Sequence, residues 1–296
     1  MFRLVDFFLG QIAAMTFTRS MDTSSDQRRH PHSRDASRAR RPRTTTPLGD
    51  GLGEGANSVL GKVRLILEAF DVDDDGLTLS ELSRRTGIPK ASVHRLCHEL
   101  VAWGMLERDD VDYLLGVRAF ELGSRVSRLR RLCETLRPHM ETLHFMTKET
   151  VHLAVLDGTE VLYLEKVNSH AQKTRPSRIA GRMPLHCTAT GKVLLAHGEP
   201  ELLDEVLRLG LPRLTRSTIV LPRVLQEQMV KIRETGFALE REETTPGFAS
   251  VAVPVYGHSG AVVAALSVTA PSFRADFPAY VKALTDIRRR AGVAAA

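Results

Sequence analysis

Residues 78–96 (Thr-Leu-Ser-Glu-Leu-Ser-Arg-Arg-Thr-Gly-Ile-Pro-Lys-Ala-Ser-Val-His-Arg-Leu) constrain this chain more than any other stretch. Thr78 and Glu81 have capping-box spacing, and Leu77 and Leu82 occupy the two ends of a hydrophobic staple, so a helix starts here. Gly87 can adopt the left-handed conformation that ends it, and Pro89 suits the first turn of the next helix. In that second helix Val93, Leu96, Cys97, Leu100 and Val101 share an apolar stripe. Ser92, Arg95 and Glu99 lie opposite, with His94 and His98 beside them. Polar groups able to read base edges therefore face outward.

An ordinary helical hairpin with a solvated charged face would show the same pattern, and the flanking sequence argues against it. Val59, Leu60, Val63, Ile66, Leu67 and Phe70 repeat at helical spacing and supply a supporting first helix. Trp103 to Arg108 and Tyr113 to Gly116 read as two short strands around a polar turn. Together these segments predict a winged helix-turn-helix over residues 57–116. Arg84, Arg85, Lys90 and Arg95 place four cations and no acid between Arg84 and His98, as phosphate contact requires. The candidate DNA contacts are therefore Arg84, Arg85, Lys90, Ser92, His94 and Arg95. Residues 57–125 nevertheless hold nine Lys/Arg against twelve Asp/Glu. Asp109, Asp110 and Asp112 would make the wing tip acidic, so the wing is expected to contribute little to DNA binding.

Two cores fit within 296 residues, of which 43% are hydrophobic and 26% charged. The net charge of +6 is unevenly placed, because residues 19–43 carry eight Arg and three Asp among Ser, Thr, Pro and His. Residues 1–56 are expected to form a disordered basic extension. It is read either as an arm along DNA or as a solvated leader, with Met15 or Met21 as the true start. Asp6 and Gln11 interrupt the apolar run of residues 1–17, which argues against a signal peptide. No stretch reaches transmembrane length. Cys97, Cys133 and Cys187 are distant and odd in number, which fits a reducing, cytoplasmic compartment and no disulfide framework.

Several chemical motifs fail on spacing. The run from Asp71 to Gly76 resembles the start of a calcium loop, but its twelfth position is Leu82 and Glu81 is already a capping residue. The glycines of residues 49–55 follow no strand and lack dinucleotide-binding spacing. Gly191-Lys192 is followed by Val193, and the earlier phosphate-loop glycine is missing. His94, Cys97 and His98 lack a second ligand pair and Cys97 belongs to the buried stripe, so no metal site is expected. No cofactor motif appears.

Beyond Gly116, a linker helix is expected over residues 117–131, with helical sequence continuing to about 147, and a second domain over 132–296. Residues 151–157 and 161–167 read as a hairpin across Gly158-Thr159, and 250–256 and 261–270 as another pair. Helical segments lie around 189–197, 200–209 and 221–235. This layout predicts an α+β sensor domain with an antiparallel sheet.

Four stretches in matching order make residues 58–296 resemble the IclR family of bacterial transcriptional regulators. They are Gly87 to Leu96; Pro184-Leu185-His186-Cys187-Thr188-Ala189-Thr190-Gly191-Lys192 with Val193 to Ala196; Glu242-Glu243 with Gly247 and Ala252-Val253-Pro254-Val255; and Gly260 leading to Ala264 through Pro271. The resemblance implies a winged-helix DNA-binding domain, a GAF-like α+β effector domain and homodimers or dimers of dimers on double-stranded operator DNA. It also implies control by a small organic effector, with repression the expected sign. The Thr188-Ala189-Thr190 turn opens a helix whose free N–H groups favour an anion, so a carboxylate is the expected effector. By resemblance the effector site comprises Ala189, Thr190, Glu240, Ser250, Ser267 and Thr269, with Met183 as a wall. A shorter acid is common at the position of Glu240, whose extra methylene should narrow the cavity. Ser267 and Thr269 share a strand face, as a common pocket requires, although such hydroxyls could also simply serve the core. An enzyme built on the second domain is the competing reading, and it lacks a nucleophile, base and orienter set. A protein-interaction module is the other.

Overall fold

The computed structural model describes residues 57–71, 74–168 and 179–291. The expectations for the basic extension of residues 1–56, the glycines of 49–55 and part of the Asp71 to Gly76 run lie outside them. Helix α1 (Val59–Leu67), strand β1 (Leu77–Thr78), helices α2 (Leu79–Thr86) and α3 (Lys90–Trp103), and strands β2 (Leu106–Asp109) and β3 (Asp112–Leu115) come first. They build a three-helix unit with a small sheet of order β1-β3-β2. Ile66, Leu82, Val93, Leu96, Cys97 and Leu100 are buried together with Leu77, Leu106 and Tyr113, so the predicted stripe faces this core.

The start of α2 keeps half of its capping box. Thr78 Oγ1 accepts from the Glu81 amide at 3.2 Å, and Leu77 and Leu82 are both buried. The Glu81 carboxylate, however, turns to Arg84 and Arg85. Gly87, at φ 71°, closes the helix as anticipated. Ser83 Oγ donates to the Ile88 carbonyl at 2.7 Å and fixes the turn into α3.

A single linker helix over 117–131 is replaced by two helices, α4 (Val117–Ser124) and α5 (Ser127–Thr147). Ala119 and Leu122 of α4 pack on the winged-helix core, whereas Leu129, Leu132 and Cys133 of α5 pack on the sheet domain. The two helices thus serve different cores, and the chain breaks between them at Arg125 and Val126.

The second part contains β4 (Thr150–Asp157), β5 (Glu160–Val167), β6 (Arg182–Pro184), α6 (Ala189–His197), α7 (Pro200–Leu209), α8 (Pro222–Thr235), β7 (Ala238–Arg241), β8 (Phe248–Tyr256), β9 (Val262–Pro271) and α9 (Phe277–Ala291). The strands form one antiparallel sheet of order β6-β5-β4-β9-β8-β7. Both expected hairpins are present, whereas β6, β7 and α9 have no counterpart in the sequence reading. On one face Val151, Leu153, Val251, Val253, Leu266 and Val268 pack against α5 and α9. On the other, Ala154, Ala252 and Ala265 lie beneath α6 and α8. Among the described residues no helix is long and apolar enough to cross a membrane.

The wing and α4 are joined at a backbone-to-backbone contact. The Gly116 amide donates to Met105 O at 2.9 Å, and a Cβ on Gly116 would lie 2.1 Å from Gly104 O. Gly116→Ala is therefore expected to destabilise the protein by about 1–3 kcal/mol in urea denaturation, the usual cost of overpacking. Gly123→Ala, in α4 with open space around the site, should instead be neutral or stabilising by up to about 1 kcal/mol.

Candidate functional site

Helix α3 exposes Lys90, His94 and Arg95, with Ser92 half-buried beside them. Arg95 pairs with Glu99 at 2.7 Å across one turn, and both side chains are 60% exposed, so this pair can exchange for another partner at little cost. Arg84 is exposed and held by Glu81. Arg85 is arranged differently. Its guanidinium donates to Asp74, to Glu81 Oε1 at 2.9 Å and to the Ala69 carbonyl at 2.9 Å, with only 20% of the side chain exposed. The structure thus separates Arg85 from the outward-facing set and uses it to tie the loop before β1 to α2. These arginines hold the Glu81 carboxyl at about 2, well below its ordinary value, and Arg85 also keeps Asp74 low.

The second candidate site lies over the face of the sheet that carries small side chains. Cross-strand pairing aligns Thr269 with Ser250 and Ser250 with Glu240. The next row aligns His152 with Ser267 and Ser267 with Ala252. Met183, Ala189, Thr190, Glu240, Ser250, Ser267 and Thr269 all line one cavity of about 50 Å³. His152, Tyr163, Thr188, Thr244, Thr245 and Phe248 complete its wall. His152 was within reach of sequence reasoning, because it alternates with the apolar residues of β4 and so faces away from Val151 and Leu153. Tyr163 and Phe248 gave no such signal, because their placement depends on strand register.

The cavity's polar groups are organised in two networks. Ser250 Oγ and Thr269 Oγ1 are hydrogen-bonded at 3.0 Å, and Thr269 Oγ1 approaches His152 Nδ1 at 3.5 Å. Tyr163 OH meets Thr190 Oγ1 at 3.3 Å, and burial pushes its phenol up to about 12. Helix α6 opens onto the same space. Thr188 Oγ1 caps it by accepting from the Gly191 amide at 3.0 Å, while the first-turn amides of Ala189 and Thr190 have no intrahelical acceptor.

Glu240 and Glu243 share a buried corner. Glu240 Oε1 accepts from the amides of Glu243 at 2.6 Å and Thr244 at 3.2 Å. Burial outweighs these bonds and raises the Glu240 carboxyl to about 7. Glu242, at φ 58°, takes the left-handed turn that aims both amides at this carboxylate. Thr215 Oγ1 clamps the turn by donating to Glu242 O at 2.6 Å, and Thr218 Oγ1 donates to Glu243 O at 2.7 Å. Lys192, fully buried in α6, donates from Nζ to Glu243 Oε1 at 2.5 Å and to Leu239 O at 3.3 Å. Burial also raises the Cys187 thiol to about 12, so it carries no thiolate at neutral pH.

A winged helix with an outward polar helix, followed by a sheet domain enclosing a small polar cavity, defines a DNA-binding regulator with a separate sensing domain. The chain belongs to the IclR family of bacterial transcriptional regulators: residues 59–110 match the IclR helix-turn-helix domain and residues 124–292 the bacterial transcriptional regulator IclR C-terminal domain. It is 36% identical over 236 residues to the HTH-type transcriptional regulator BhcR of Paracoccus denitrificans, covering 77% of this chain and 84% of that one. It is 34% identical over 239 residues to the regulator KdgR of Dickeya chrysanthemi, with 78% of each covered. A crystal structure of an IclR homolog from Microbacterium hydrocarbonoxydans, complexed with 4-hydroxybenzoate, superposes with a TM-score of 0.76 at 34% identity, covering 80% of this chain and 99% of that one.

The Lys192–Glu243 pair gives a direct test of how this corner is held. Lys192→Met alone should destabilise by about 3–5 kcal/mol in chemical denaturation, because it leaves Glu243 buried without its counter-charge. Adding Glu243→Leu should restore most of that loss. A double variant as unstable as the single one would show that the pair's charges are not coupled.

Proposed function

We propose that this protein is a sequence-specific repressor that binds operator DNA through α3 and is released by a small carboxylate held over the sheet. Lys90, Ser92, His94 and Arg95 are the base and phosphate contacts in this reading, with Arg84 at their margin and Arg85 reserved for the fold. The acids Asp109, Asp110 and Asp112 keep the wing off the phosphates. Val59, Leu60, Val117 and Phe120, large apolar groups left exposed, supply the self-association surface of a homodimer or dimer of dimers. A cytoplasmic location follows from the DNA partner.

One observation carries the effector half: the uncapped first-turn amides of α6 open into the cavity that also presents Ser250, Ser267, Thr269 and His152. Helix N-termini and hydroxyls suit a carboxylate. The related structure complexed with 4-hydroxybenzoate supports an acid of this kind. The volume of about 50 Å³ favours a compact acid. A ring-sized one requires Met183, Phe248 or Glu240 to give way. An enzymatic reading is disfavoured, since Cys187 stays protonated and the described residues bring no nucleophile, base and orienter together.

Arg95→Ala should weaken operator binding by about 1–3 kcal/mol, confined to one base position, while leaving the melting temperature unchanged. Fluorescence anisotropy against single-base operator variants measures this. Unaltered affinity and base preference would remove Arg95 from the contact set.

Calorimetry with a panel of small carboxylates should find one that binds and lowers operator affinity about 5- to 150-fold, with DNA lowering its affinity by the same factor. The Ser267→Ala, Thr269→Val double variant should bind it more weakly. Glu240 adds a pH signature. Its proton is retained below about 7 and lost above, so a carboxylate beside it is repelled increasingly as pH rises through that value. Glu240→Gln should bind the acid as wild type does at low pH and more tightly than wild type above about pH 7. A ligand chemically altered on incubation would instead revive the enzyme reading.

A further inference from the structure

A second cavity, of about 340 Å³, opens where strands β4 and β9 part, and it shares no wall residue with the effector pocket. The ladder between the two strands ends at Ala154 and Ala265. Beyond that pair β4 runs on with β5 to Asp157, β9 stays with β8 back to Val262, and a bulge leaves Val263 paired with neither neighbour. The sheet is split at this end. The N-terminal half of α5 borders the split from one face of the sheet, and the last turn of α6, with Leu194 and His197, borders it from the other. The volume lies within the range of about 300–1,000 Å³ typical of small-molecule sites.

The wall selects by charge and by shape. Arg128, Leu129, Arg131, Leu132 and Thr135 recur at helical spacing on one face of α5. At about 1.5 Å per residue that face is about 10 Å long. Leu129, Leu132, Leu156 and Val262 are half-buried and Val263 is 41% exposed, so the apolar lining is open to a ligand and gains by being covered. Arg128 and Arg131, one turn apart and exposed, have no acid partner among the described residues, whereas Arg130 and Arg137 of the same helix pair with Glu134 and Glu141. No Asp or Glu lines the cavity, and its other polar side chains, Thr135 and His197, add no negative charge. A cation therefore finds no counter-charge here. A bare inorganic anion would leave the leucines and valines wet, and an uncharged chain would leave the arginines unused. A long apolar body with an anionic head satisfies both parts of the wall.

We propose that this groove binds a single-chain fatty carboxylate, its head held by Arg128 and Arg131 and its chain laid along Leu129, Leu132 and Leu194 into the gap beside Val262. Arginine suits the head because its planar fork matches a carboxylate in bidentate fashion. Each buried methylene multiplies affinity about fourfold, so the chain supplies most of the binding and the head sets its direction. The ligand touches α5, α6 and β9 at once. It is distinct from the acid of the effector pocket, whose volume of about 50 Å³ has no room for such a chain.

The full chain is titrated calorimetrically with hexanoate, octanoate, decanoate and dodecanoate, below micelle-forming concentrations. Decanoate should bind once per chain, with affinity rising about fourfold per added methylene and levelling off between decanoate and dodecanoate, where the groove is full. Decanol, the same chain without the charge, should bind at least about tenfold more weakly, the usual worth of one charged hydrogen bond. The Arg128→Gln, Arg131→Gln double variant should lose as much while keeping the wild-type melting temperature, since both positions are exposed. Val263→Glu, which sets an acid in the wall, should also weaken binding. Binding should persist in the Ser267→Ala, Thr269→Val protein, which separates this groove from the effector pocket. The assignment is overturned if no fatty acid binds, if affinity is independent of chain length, if decanol binds as tightly as decanoate, if both groove variants bind as wild type does, or if binding disappears in the Ser267/Thr269 variant. A Val263→Glu protein that sediments as a smaller species, in a chain that takes up no fatty acid, would give the groove to a second copy instead.

Discussion

The ion pair between Lys192 and Glu243 is the interaction on which the sensing domain depends. A fully buried ammonium is tolerable only with a counter-charge and hydrogen bonds in place, and Lys192 obtains both from one short stretch, Leu239 to Glu243. That requirement fixes α6 against β7 and the turn after it. It also explains why the turn is built from a left-handed Glu242 clamped by Thr215 and Thr218, since the Glu243 carboxylate must arrive at one place. Gly191, the residue before the lysine, has no room for a side chain: a Cβ there would lie 2.4 Å from Leu185 O. The helix start is thereby pressed onto the preceding turn, one residue before the anchored lysine.

The sheet beneath has two unlike faces. Valines and leucines fill the side toward α5 and α9 and are almost wholly buried there. The side toward α6 grades along the strands, from Ala154 and Ala265 through His152, Ser267 and Ala252 to Thr269, Ser250 and Glu240. Small residues at one end let α6 approach closely, and hydroxyls and an acid at the other leave room that is polar. The cavity is thus a consequence of side-chain volume along the strands, combined with the register that aligns four of them.

Much of this was legible in the sequence because it is local. The two helices around Gly87, the hairpin across Gly158 and the helix beginning at Thr188 each carry their own start, stop or turn signal. The seven residues assigned to the effector pocket by resemblance do line one cavity, even though they come from strands β6 to β9 and helix α6. Features that depend on long-range pairing were not legible. Strands β6 and β7 have three and four residues and take their identity from the neighbours they pair with. The inward turn of Arg85 depends on Asp74, eleven residues earlier, and no helical-face argument distinguishes it from the exposed Arg84. The same holds for Tyr163, whose ring meets that of His152 at 5.2 Å only because β4 and β5 pair in one register.

Residues 117–147 are the covalent connection between the winged helix and the sheet domain, and their packing divides them in two. Helix α4 moves with the winged helix, because Gly116 is in backbone contact with Gly104 and because Ala119 and Leu122 sit on that core. Helix α5 moves with the sheet, because Leu136, Met140 and Leu143 are completely buried against it. Only Arg125 and Val126 separate these two rigid attachments, and both are exposed. The two-residue break is thus the point at which the packing of one half of the chain gives way to that of the other. The break between α4 and α5, rather than a continuous linker helix, is therefore the covalent joint between the two packed halves of the chain, and each helix is committed to the core on its own side of it.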